Sequence, residues 1–259
     1  MTYNVQLGSG GYLGWKILER TADRQRAAFE KSTEIQSSRD YFAKNMAKIE
    51  NVDDLVSDYK LLKVALRAFG LDGDIRNRAF IKKVMEADPD DKKSIVNRLT
   101  DKRYLELNQA FKFGSEASSQ KVDVQAVSTL YLTRSFEKSI GESHEELELA
   151  LNAQRELPRL VSSDSSENTK WYSILSSTAL RTVFEGAFGL PDSFSQLPVD
   201  RQLQEIKSRA ERMIGTSDPA ALAKAENMEK LIKRYLILSQ TDQTSPSSRF
   251  STALTLLGG

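Results

Sequence analysis

The sequence predicts an all-α protein: a multi-helix bundle of two related helical lobes with a long N-terminal helical segment and disordered tails. Three observations predict it. Apolar residues recur every three or four positions, cap-forming residues stand at the starts of these runs, and no segment alternates apolar and polar residues as a half-buried strand does. Such spacing places the apolar side chains on one face of each helix, and this face must pack against other helices.

The first element is a leader, residues 1–13, which the sequence predicts to be flexible. Residues 1–15 carry no charged side chain, and four of the seven residues 8–14 are glycine. Ordering glycine is entropically costly, and few groups in this stretch could offset the cost. The basic start, apolar stretch and cleavage site of a secretory signal are all missing from it, so we expect no Sec-type secretion.

An N-terminal helical lobe with its connecting helices is predicted over residues 14–160. The spacing indicates helices over roughly 14–31, 38–49, 74–87, 91–99, 102–112, 121–140 and 144–157. One further run, capped by Asn51 and ended by Gly70, is predicted as a single helix. Its apolar residues are Leu55, Tyr59, Leu62, Leu66 and Phe69. At residues 143–146 the sequence predicts a capping box, with Ser143 as the cap and Glu146 as its partner.

A C-terminal helical lobe is predicted over residues 170–238, after a polar linker at 161–169. Helices are indicated at 170–187 and 199–214, and a last one follows the Asp218-Pro219 start signal. Residues 239–259 form a tail that is polar and aperiodic at first and ends in a short apolar patch. In this patch Phe250, Leu254 and Leu257 would share one face of a helix. They are the candidate partner-binding residues, and the alternative is a tail that packs on its own domain or stays disordered.

A short sequence repeat occurs in both predicted lobes. Val64-Ala-Leu-Arg-Ala-Phe-Gly-Leu71 reappears 119 residues later as Val183-Phe-Glu-Gly-Ala-Phe-Gly-Leu190, and Gln109-Ala-Phe-Lys-Phe-Gly114 is a weaker third copy. The repeated unit is an amphipathic helix whose last turn buries a phenylalanine, followed by a glycine that can take positive φ and by an apolar residue. This pattern is typical of a Schellman-type cap. We therefore expect two related lobes, at about residues 50–115 and 169–215.

The composition excludes several kinds of functional site. The 259 residues include 37 Lys and Arg against 36 Asp and Glu, for a net charge of +1, with no cysteine and one histidine. Thiolate and paired-histidine metal sites are thereby excluded. His144 stands among glutamates and is expected to be a solvated surface residue. The basic residues between Arg76 and Arg103 share the stretch 72–103 with seven acids, which argues against nucleic-acid binding.

Two further stretches that could bind an ion or a nucleotide do not match the known binding motifs. The acidic turn at residues 71–74 departs from a calcium-binding loop at three later positions, and the glycine-rich stretch at 8–14 fits no dinucleotide fingerprint. No apolar run approaches the ~20 residues that span a bilayer. We therefore predict no cofactor, no catalytic or metal-binding residue, and no membrane insertion. An enzyme with its site hidden among ordinary carboxylates is the least favoured alternative.

A series of short motifs runs through residues 10–215. They are Gly14-Trp15, Arg20-Thr21, Arg24-Gln25, Tyr41-Phe42, Asp54-Leu55-Val56, Leu61-Leu62, Ala68-Phe69-Gly70-Leu71, Ala79-Phe80-Ile81-Lys82-Lys83-Val84, Leu99-Thr100-Asp101-Lys102-Arg103-Tyr104, Phe136-Glu137, Gly141-Glu142 and Gly189-Leu190-Pro191. Together they resemble the DUF1217 family of α-proteobacterial proteins, whose genes are often found among flagellar genes. Lys112 departs from the family, which favours glycine there, and this departure concerns only a local cap. The family has no assigned activity, so the resemblance implies no catalytic residues.

The resemblance implies a role in the flagellar system, with protein partners. The first hypothesis is a non-enzymatic structural or interaction protein associated with the flagellum or motility, exported or acting on exported subunits. The alternative is a cytoplasmic adaptor or export chaperone that binds a partner helix. Accordingly we expect the protein in the cytoplasm or exported through the flagellar apparatus. The sequence does not assign an oligomeric state.

Overall fold

The computed structural model describes residues 5–113 and 122–243, and within these ranges the protein is all-α, as predicted, with no strand. The described residues form fourteen α-helices: α1 Gly11–Glu30, α2 Thr33–Met46, α3 Val52–Ser57, α4 Tyr59–Phe69, α5 Arg78–Glu86, α6 Ile95–Arg98, α7 Arg103–Phe111, α8 Val124–Gly141, α9 Glu145–Val161, α10 Glu167–Ser176, α11 Thr178–Phe188, α12 Val199–Ile214, α13 Pro219–Leu222 and α14 Ala225–Gln243. Two 3₁₀ helices, Asp72–Arg76 and Asp192–Gln196, follow α4 and α11. Several predicted ranges hold to within a few residues, and that of α12 agrees at both ends.

The described residues divide into two compact units. Unit 1 contains residues 5–6 and Thr21–Ser139, and unit 2 contains Leu7–Arg20 and residues 140–243. Helix α1 therefore begins in unit 2 and ends in unit 1, and α8 runs from unit 1 into unit 2. The expected lobes are contiguous stretches of the chain. The observed units are not contiguous, because α1 and α8 each contribute residues to both of them.

The order of elements is repeated in the two halves of the described chain. Helices α1–α7 and α8–α14 follow the same pattern: two long helices, two helices separated by one residue, a 3₁₀ helix, and three more helices of which the middle one has four residues. Packing follows the same plan, since α4 lies against α2 and α7 in unit 1 and α11 lies against α9 and α14 in unit 2. The structural repeat is therefore longer than the repeat in the sequence, and it continues beyond residue 215, where the second predicted lobe ends.

The predicted single helix after Asn51 is broken in the structure, and so is the predicted helix 170–187. Asp58 and Ser177 have extended backbones, with φ/ψ of −85°/103° and −84°/111°. The side chain of Asp58 accepts hydrogen bonds from the N–H groups of Lys60 and Leu61, and Ser177 caps α11 through the N–H of Leu180. Each residue thus starts a new helix, and apolar spacing alone could not show this because the period continues across the break.

The predicted Schellman-type caps are confirmed. Gly70 and Gly189 adopt the left-handed conformation, with φ of 69° and 58°. The N–H of Leu71 donates to Leu66 O at 2.9 Å, and that of Leu190 donates to Glu185 O at 2.9 Å. This bond from the second residue beyond the helix defines the Schellman motif. In the third copy Lys112 takes the glycine's place with φ of 54°, and its N–H donates to Asn108 O.

The core of unit 1 is built around α4. Phe42 from α2 and Phe111 from α7 are buried and meet edge to face, with ring centroids 6.5 Å apart. Asn108 is also fully buried, and its Nδ2 donates to the carbonyl oxygens of Val84 and Ala87 at 2.8 Å. These bonds satisfy carbonyl groups at the end of α5, which would otherwise be buried without a partner.

The core of unit 2 contains three aromatic rings that pack on one another in series. Trp171 of α10 packs edge to face on Phe184, and Phe184 packs in the same way on Phe188, with centroid separations of 5.6 and 5.7 Å. The indole N–H of Trp171 donates to Ser217 O at 2.9 Å, so its polar atom is satisfied while the ring is buried. This chain of rings joins α10 and α11 to the segment that precedes α13.

The start of the chain differs from the expected leader 1–13. Helix α1 begins at Gly11, Leu7 is buried, and the backbone N–H of Gln6 donates to the side chain of Gln25 at 2.9 Å. The Gln25 amide returns a bond to Gln6 O at 3.1 Å. Glycines in this stretch allow close packing, since a Cβ on Gly10 would lie 2.7 Å from the ring of His144.

Candidate partner-binding groove

The candidate partner-binding residues Phe250, Leu254 and Leu257 lie outside the described residues, as does most of the tail 239–259. The structure therefore gives no position for them. Two concave surfaces among the described residues remain as candidates, one in each unit. Before these are considered, the residues that the sequence singled out can be placed.

His144 is the N-cap residue of α9, and the predicted capping box with Ser143 is wrong. The Glu146 carboxylate turns instead to the start of α1, where its Oε1 accepts the N–H of Gly11 at 2.9 Å. His144 Nδ1 lies 3.8 Å from the same oxygen, and the imidazole is half-buried. Glu146 is drawn to α1 because an anion is stabilised by the unpaired N–H groups at a helix start.

The acidic turn at residues 71–74 is used within the fold. Asp72 pairs with Arg67, while Asp74 accepts the phenol O–H of Tyr104 at 2.7 Å and the amide of Asn77 at 2.8 Å. Burial and the bond to Asp74 raise the pKa of Tyr104 to about 12. Within residues 5–113 and 122–243 no group of three or more histidine and acidic side chains is placed to hold a metal ion.

Basic residues of the stretch from Arg76 to Arg103 pair with acids close by. Lys82 Nζ lies 2.6 Å from Asp53, and Arg103 binds Asp101 through two nitrogens. Although burial opposes the shift, these bonds from Arg103 lower the pKa of the Asp101 carboxyl. Arg103 also donates to Gly70 O at 2.6 Å, so it closes the end of α4.

Unit 1 contains a cavity of about 430 Å³ at the ends of α2 and α7. Its walls are largely apolar and include Ile49, Phe111, Phe113 and Val124. The side chains of Glu50 and Glu86 also line it, and both residues are exposed. Phe113 and Val122 stand on either side of residues 114–121, which the structure does not describe, so we base no site on this cavity.

Unit 2 contains a groove of about 350 Å³, hereafter the unit 2 groove, between α1, α9 and the start of α14. Its lining includes Trp15, Gln154, Pro158, Ala225, Met228 and Ile232. Trp15, Met228 and Ile232 are almost fully buried and give it an apolar floor, whereas Gln154, Pro158 and Ala225 are exposed along its sides. The volume is near the lower end of the ~300–1,000 Å³ of typical ligand pockets.

The rim of the unit 2 groove is charged. Glu19 and Glu229 line it, and Lys16 Nζ lies 2.8 Å from a Glu19 oxygen and 3.1 Å from a Glu229 oxygen. The indole N–H of Trp15 donates to Glu19 at 3.0 Å. One lysine is thus shared by two carboxylates. Lys233 brings a second cation close by, since its Nζ and that of Lys16 each lie 5.5 Å from the centre of the Tyr12 ring.

A proline interrupts the hydrogen bonds of α9 beside the same groove. Pro158 lies inside α9 and has no N–H, so the carbonyl of Gln154, four residues earlier, lacks its usual helical donor. Both residues line the groove. The predicted helix 144–157 ended one residue before Pro158, whereas α9 continues to Val161. The sequence analysis therefore did not identify a proline inside a helix. The groove therefore combines an apolar floor, a charged rim and a break in the hydrogen bonds of α9.

Comparisons with known proteins agree with this fold. The crystal structure of protein AGR_C_984 from Agrobacterium tumefaciens is similar with a TM-score of 0.67 and 22% identity, over 90% of this chain and 94% of that one. At this identity the likeness concerns the fold alone. No match was found among curated proteins. Among the described residues no helix has both the length and the apolar character needed to cross a membrane.

The family comparison gives a more specific result. A profile of DUF1217, described as a protein of unknown function, matches residues 68–240, which is more than half of the chain. The match includes α5–α13 and most of α14, and it leaves out the motifs before residue 68 on which the resemblance also rested. It contains Lys112, the position at which this chain departs from the family's glycine. The chain belongs to the DUF1217 family.

Proposed function

We propose that the protein is a non-enzymatic structural or interaction protein associated with the bacterial flagellum or motility system. The flagellar part of the proposal rests on the resemblance to the DUF1217 family, which implies a link to flagellar genes. The interaction part is supported by the unit 2 groove, whose apolar floor and polar rim resemble the surfaces that receive a helix or an extended peptide. The groove is the observation that carries the interaction role.

The acidic side chains also support an interaction role. Asp74, Asp101 and Glu146, which a proton-transfer site could use, are engaged in a phenol bond, an ion pair and a helix cap. Their partners belong to the helical framework, so their first role is structural. A reacting group would have to displace these bonds before using the carboxylates.

The localisation of the native protein tests the flagellar proposal. We would immunoblot cytosol, membranes, purified basal bodies and culture supernatant from a motile strain and from a strain with an inactive flagellar export apparatus. Protein that leaves the cytosol only when export works would support an exported or axial role. Protein that stays cytosolic in both strains and is absent from basal bodies would contradict that role. An exported filament subunit and a cytosolic enzyme serve as the two controls.

A cytoplasmic adaptor or export chaperone is the second candidate, and the shape of the unit 2 groove favours it. A groove flanked by two long helices suits one face of a third helix. This role requires a stoichiometric complex with a secreted flagellar subunit in cell lysate. Co-purification in mild salt, repeated with the groove-filling variant Ala225→Trp, should give the complex with the native chain and lose it with the variant. Recovery of no complex with the native chain would contradict the adaptor role.

A further inference from the structure

We propose that residues 6–10 act as a releasable strap. In the closed state, which the structure shows, the strap lies against α1 and the start of α9. In the open state it leaves both helices and offers the N-terminal segment to a partner. Residues 1–15 carry no charged side chain, so the partner that the segment fits is one that binds an extended, uncharged backbone. This goes beyond the proposed function and does not depend on it.

Hydrogen bonds hold the strap near both of its ends. The backbone of Gln6 exchanges two bonds with the side-chain amide of Gln25 in α1, at 2.9 and 3.1 Å. Beyond the other end, the Glu146 carboxylate accepts the N–H of Gly11 at 2.9 Å. Leu7, which lies between these two points in the sequence, is buried. The closed state is therefore a defined conformation that a small set of contacts maintains.

The close fit of the strap depends on missing side chains. A Cβ added to Gly14 of α1 would overlap the carbonyl oxygen of Ser9. A Cβ added to Gly10 would overlap the Glu146 carboxylate and would lie 2.7 Å from His144 Nδ1. The backbone of the strap thus rests directly on its neighbours at these two points. One added methyl group should be enough to lift it.

The closed state also contains features that favour release. Ser9 Oγ is buried and has no hydrogen-bond partner in the described part of the chain, so closing the strap costs this hydroxyl its bonds to water. Gly8 and Gly11 have φ of 73° and 62°, and holding glycine in one conformation is entropically costly. Because both costs disappear when the strap opens, the open state lies close to the closed state in free energy.

Helix α1 does not need to move when the strap opens. Lys16 Nζ lies 3.1 Å from Glu229 of α14, and this contact holds α1 to α14 without the strap. Trp15 and Leu18 of α1 are almost fully buried. Release of the strap is therefore a local opening, which requires less free energy than the unfolding of unit 2.

Thiol labelling of the full-length chain measures this opening, and the absence of native cysteine leaves the introduced thiol as the sole target. Ser9→Cys places a thiol where the structure buries a hydroxyl, Leu13→Cys places one at an exposed position of α1, and Ala150→Cys places one in the core of unit 2. With a maleimide, Ser9→Cys should react about tenfold more slowly than Leu13→Cys, and low urea should not change its rate. Ala150→Cys should react more slowly still, at a rate that urea raises, because its exposure requires unfolding.

Gly14→Ala should open the strap, because the new Cβ takes the place of the Ser9 carbonyl oxygen. Added to the Ser9→Cys chain, it should raise the labelling rate about tenfold, to that of Leu13→Cys. Alanine favours a helix more than glycine does, so the substitution should not loosen α1 itself. Gly73→Ala is the matched control, since its Cβ would meet no atom within 4 Å, and it should leave the rate unchanged.

Limited proteolysis tests whether the open segment is accessible, and it needs no engineered thiol. A protease that cuts after leucine requires an extended segment, so cleavage of the Leu7–Gly8 bond reports the open state. Mass spectrometry identifies this cut among the others. Cleavage should be about tenfold faster in Gly14→Ala than in the native chain, and unchanged in Gly73→Ala.

Three results would overturn the proposal. If Ser9→Cys reacts as fast as Leu13→Cys while the native chain is cut after Leu7 as fast as Gly14→Ala, the segment has no closed state. A Ser9→Cys rate that rises with urea in parallel with that of Ala150→Cys would mean that the strap leaves only when the unit unfolds. Unchanged labelling and cleavage in Gly14→Ala would mean that the strap does not rest on this glycine.

Discussion

Helices α4 and α11 occupy the same place in their units and have the same length and the same cap, yet they are packed with different chemistry. At the offset of 119 residues, Ala65 of α4 corresponds to Phe184 of α11, and both are fully buried. In unit 1 the helices that pack against α4 carry Phe42 and Phe111, which meet edge to face. In unit 2, α11 supplies a large ring itself. The same buried position therefore carries a methyl group in one unit and an aromatic ring in the other.

The same comparison separates apolar from polar packing. Leu62 and Leu66 of α4 are buried, whereas their counterparts Arg181 and Glu185 are half-buried and joined at 2.7 Å. Arg181 also donates to Gln202 at 2.9 Å, and the amide of Gln202 donates to Leu197 O at 2.7 Å, which closes the second 3₁₀ helix. The two units share the residues that start and end their helices. These caps define the repeat, while the side chains between them differ.

The largest expected effect comes from converting the unit 2 core to the unit 1 pattern. Phe184→Ala places in α11 the residue that α4 has at the same position. The free energy of unfolding should fall by about 3–5 kcal/mol, because both edge-to-face contacts and the buried area are lost. Chemical denaturation followed by circular dichroism measures it.

Thr182→Ala on the exposed side of α11 is the matched control and should cost little. A loss below about 1 kcal/mol for Phe184→Ala would mean that unit 2 can collapse around the vacated space. The two cores would then be interchangeable, contrary to the comparison.

The next effect distinguishes the two glycine caps. Alanine at Gly70 or Gly189 must adopt positive φ, which costs about 1–2 kcal/mol. A Cβ at Gly189 meets no atom within 4 Å, whereas one at Gly70 would lie 2.8 Å from Arg134 Nη1, beside the Arg103 that closes α4. Gly70→Ala should therefore lower the free energy of unfolding more than Gly189→Ala. Equal losses in denaturant titrations would show that the arginines move aside without cost.

The residues that start and end the helices show which parts of this fold the sequence can predict. Gly70 and Gly189 were readable because glycine after phenylalanine at a helix end is a strong local signal. Asp58 and Ser177 were not, since one extended residue between two helices leaves the apolar period unbroken. The unit 2 groove depends on α1, α9 and α14, which are far apart in the sequence, and on Pro158, which was placed beyond a helix end. Its assembly is a tertiary result that local patterns do not contain.

A smaller and opposite effect is expected at the third cap. Lys112 adopts φ of 54° where the family favours glycine. Lys112→Gly relieves the left-handed strain but adds flexibility to the unfolded chain, so we expect a net gain of about 0.5 kcal/mol. The measurement is the shift in the denaturation midpoint, with Lys112→Ala as the control that keeps the strain. A loss of stability in the glycine variant would show that contacts of the lysine side chain outweigh the strain.

The smallest effect concerns two phenols whose pKa values are raised for different reasons. Burial and the bond to Asp74 raise the pKa of Tyr104 in unit 1 to about 12, and burial, with nearby Glu146, raises that of Tyr235 in unit 2 to about 12. The folded state therefore holds these protons more tightly than the unfolded chain does. The resulting contribution to stability is complete below about pH 10 and is lost as the pH rises through about 12.

Removing the acceptor should affect one phenol only. In Asp74→Asn the Tyr104 phenol loses its anionic acceptor, so its pKa should move part of the way back towards 10, while that of Tyr235 keeps its value because burial is its main cause. Titration of the tyrosinate absorbance should show the late Tyr104 and Tyr235 steps in the native chain, and a Tyr104 step at lower pH in Asp74→Asn. Tyr104→Phe and Tyr235→Phe assign the steps, and the unfolded chain should show neither. If Asp74→Asn leaves both late steps in place, burial alone sets the Tyr104 pKa, and the two units control their phenols in the same way.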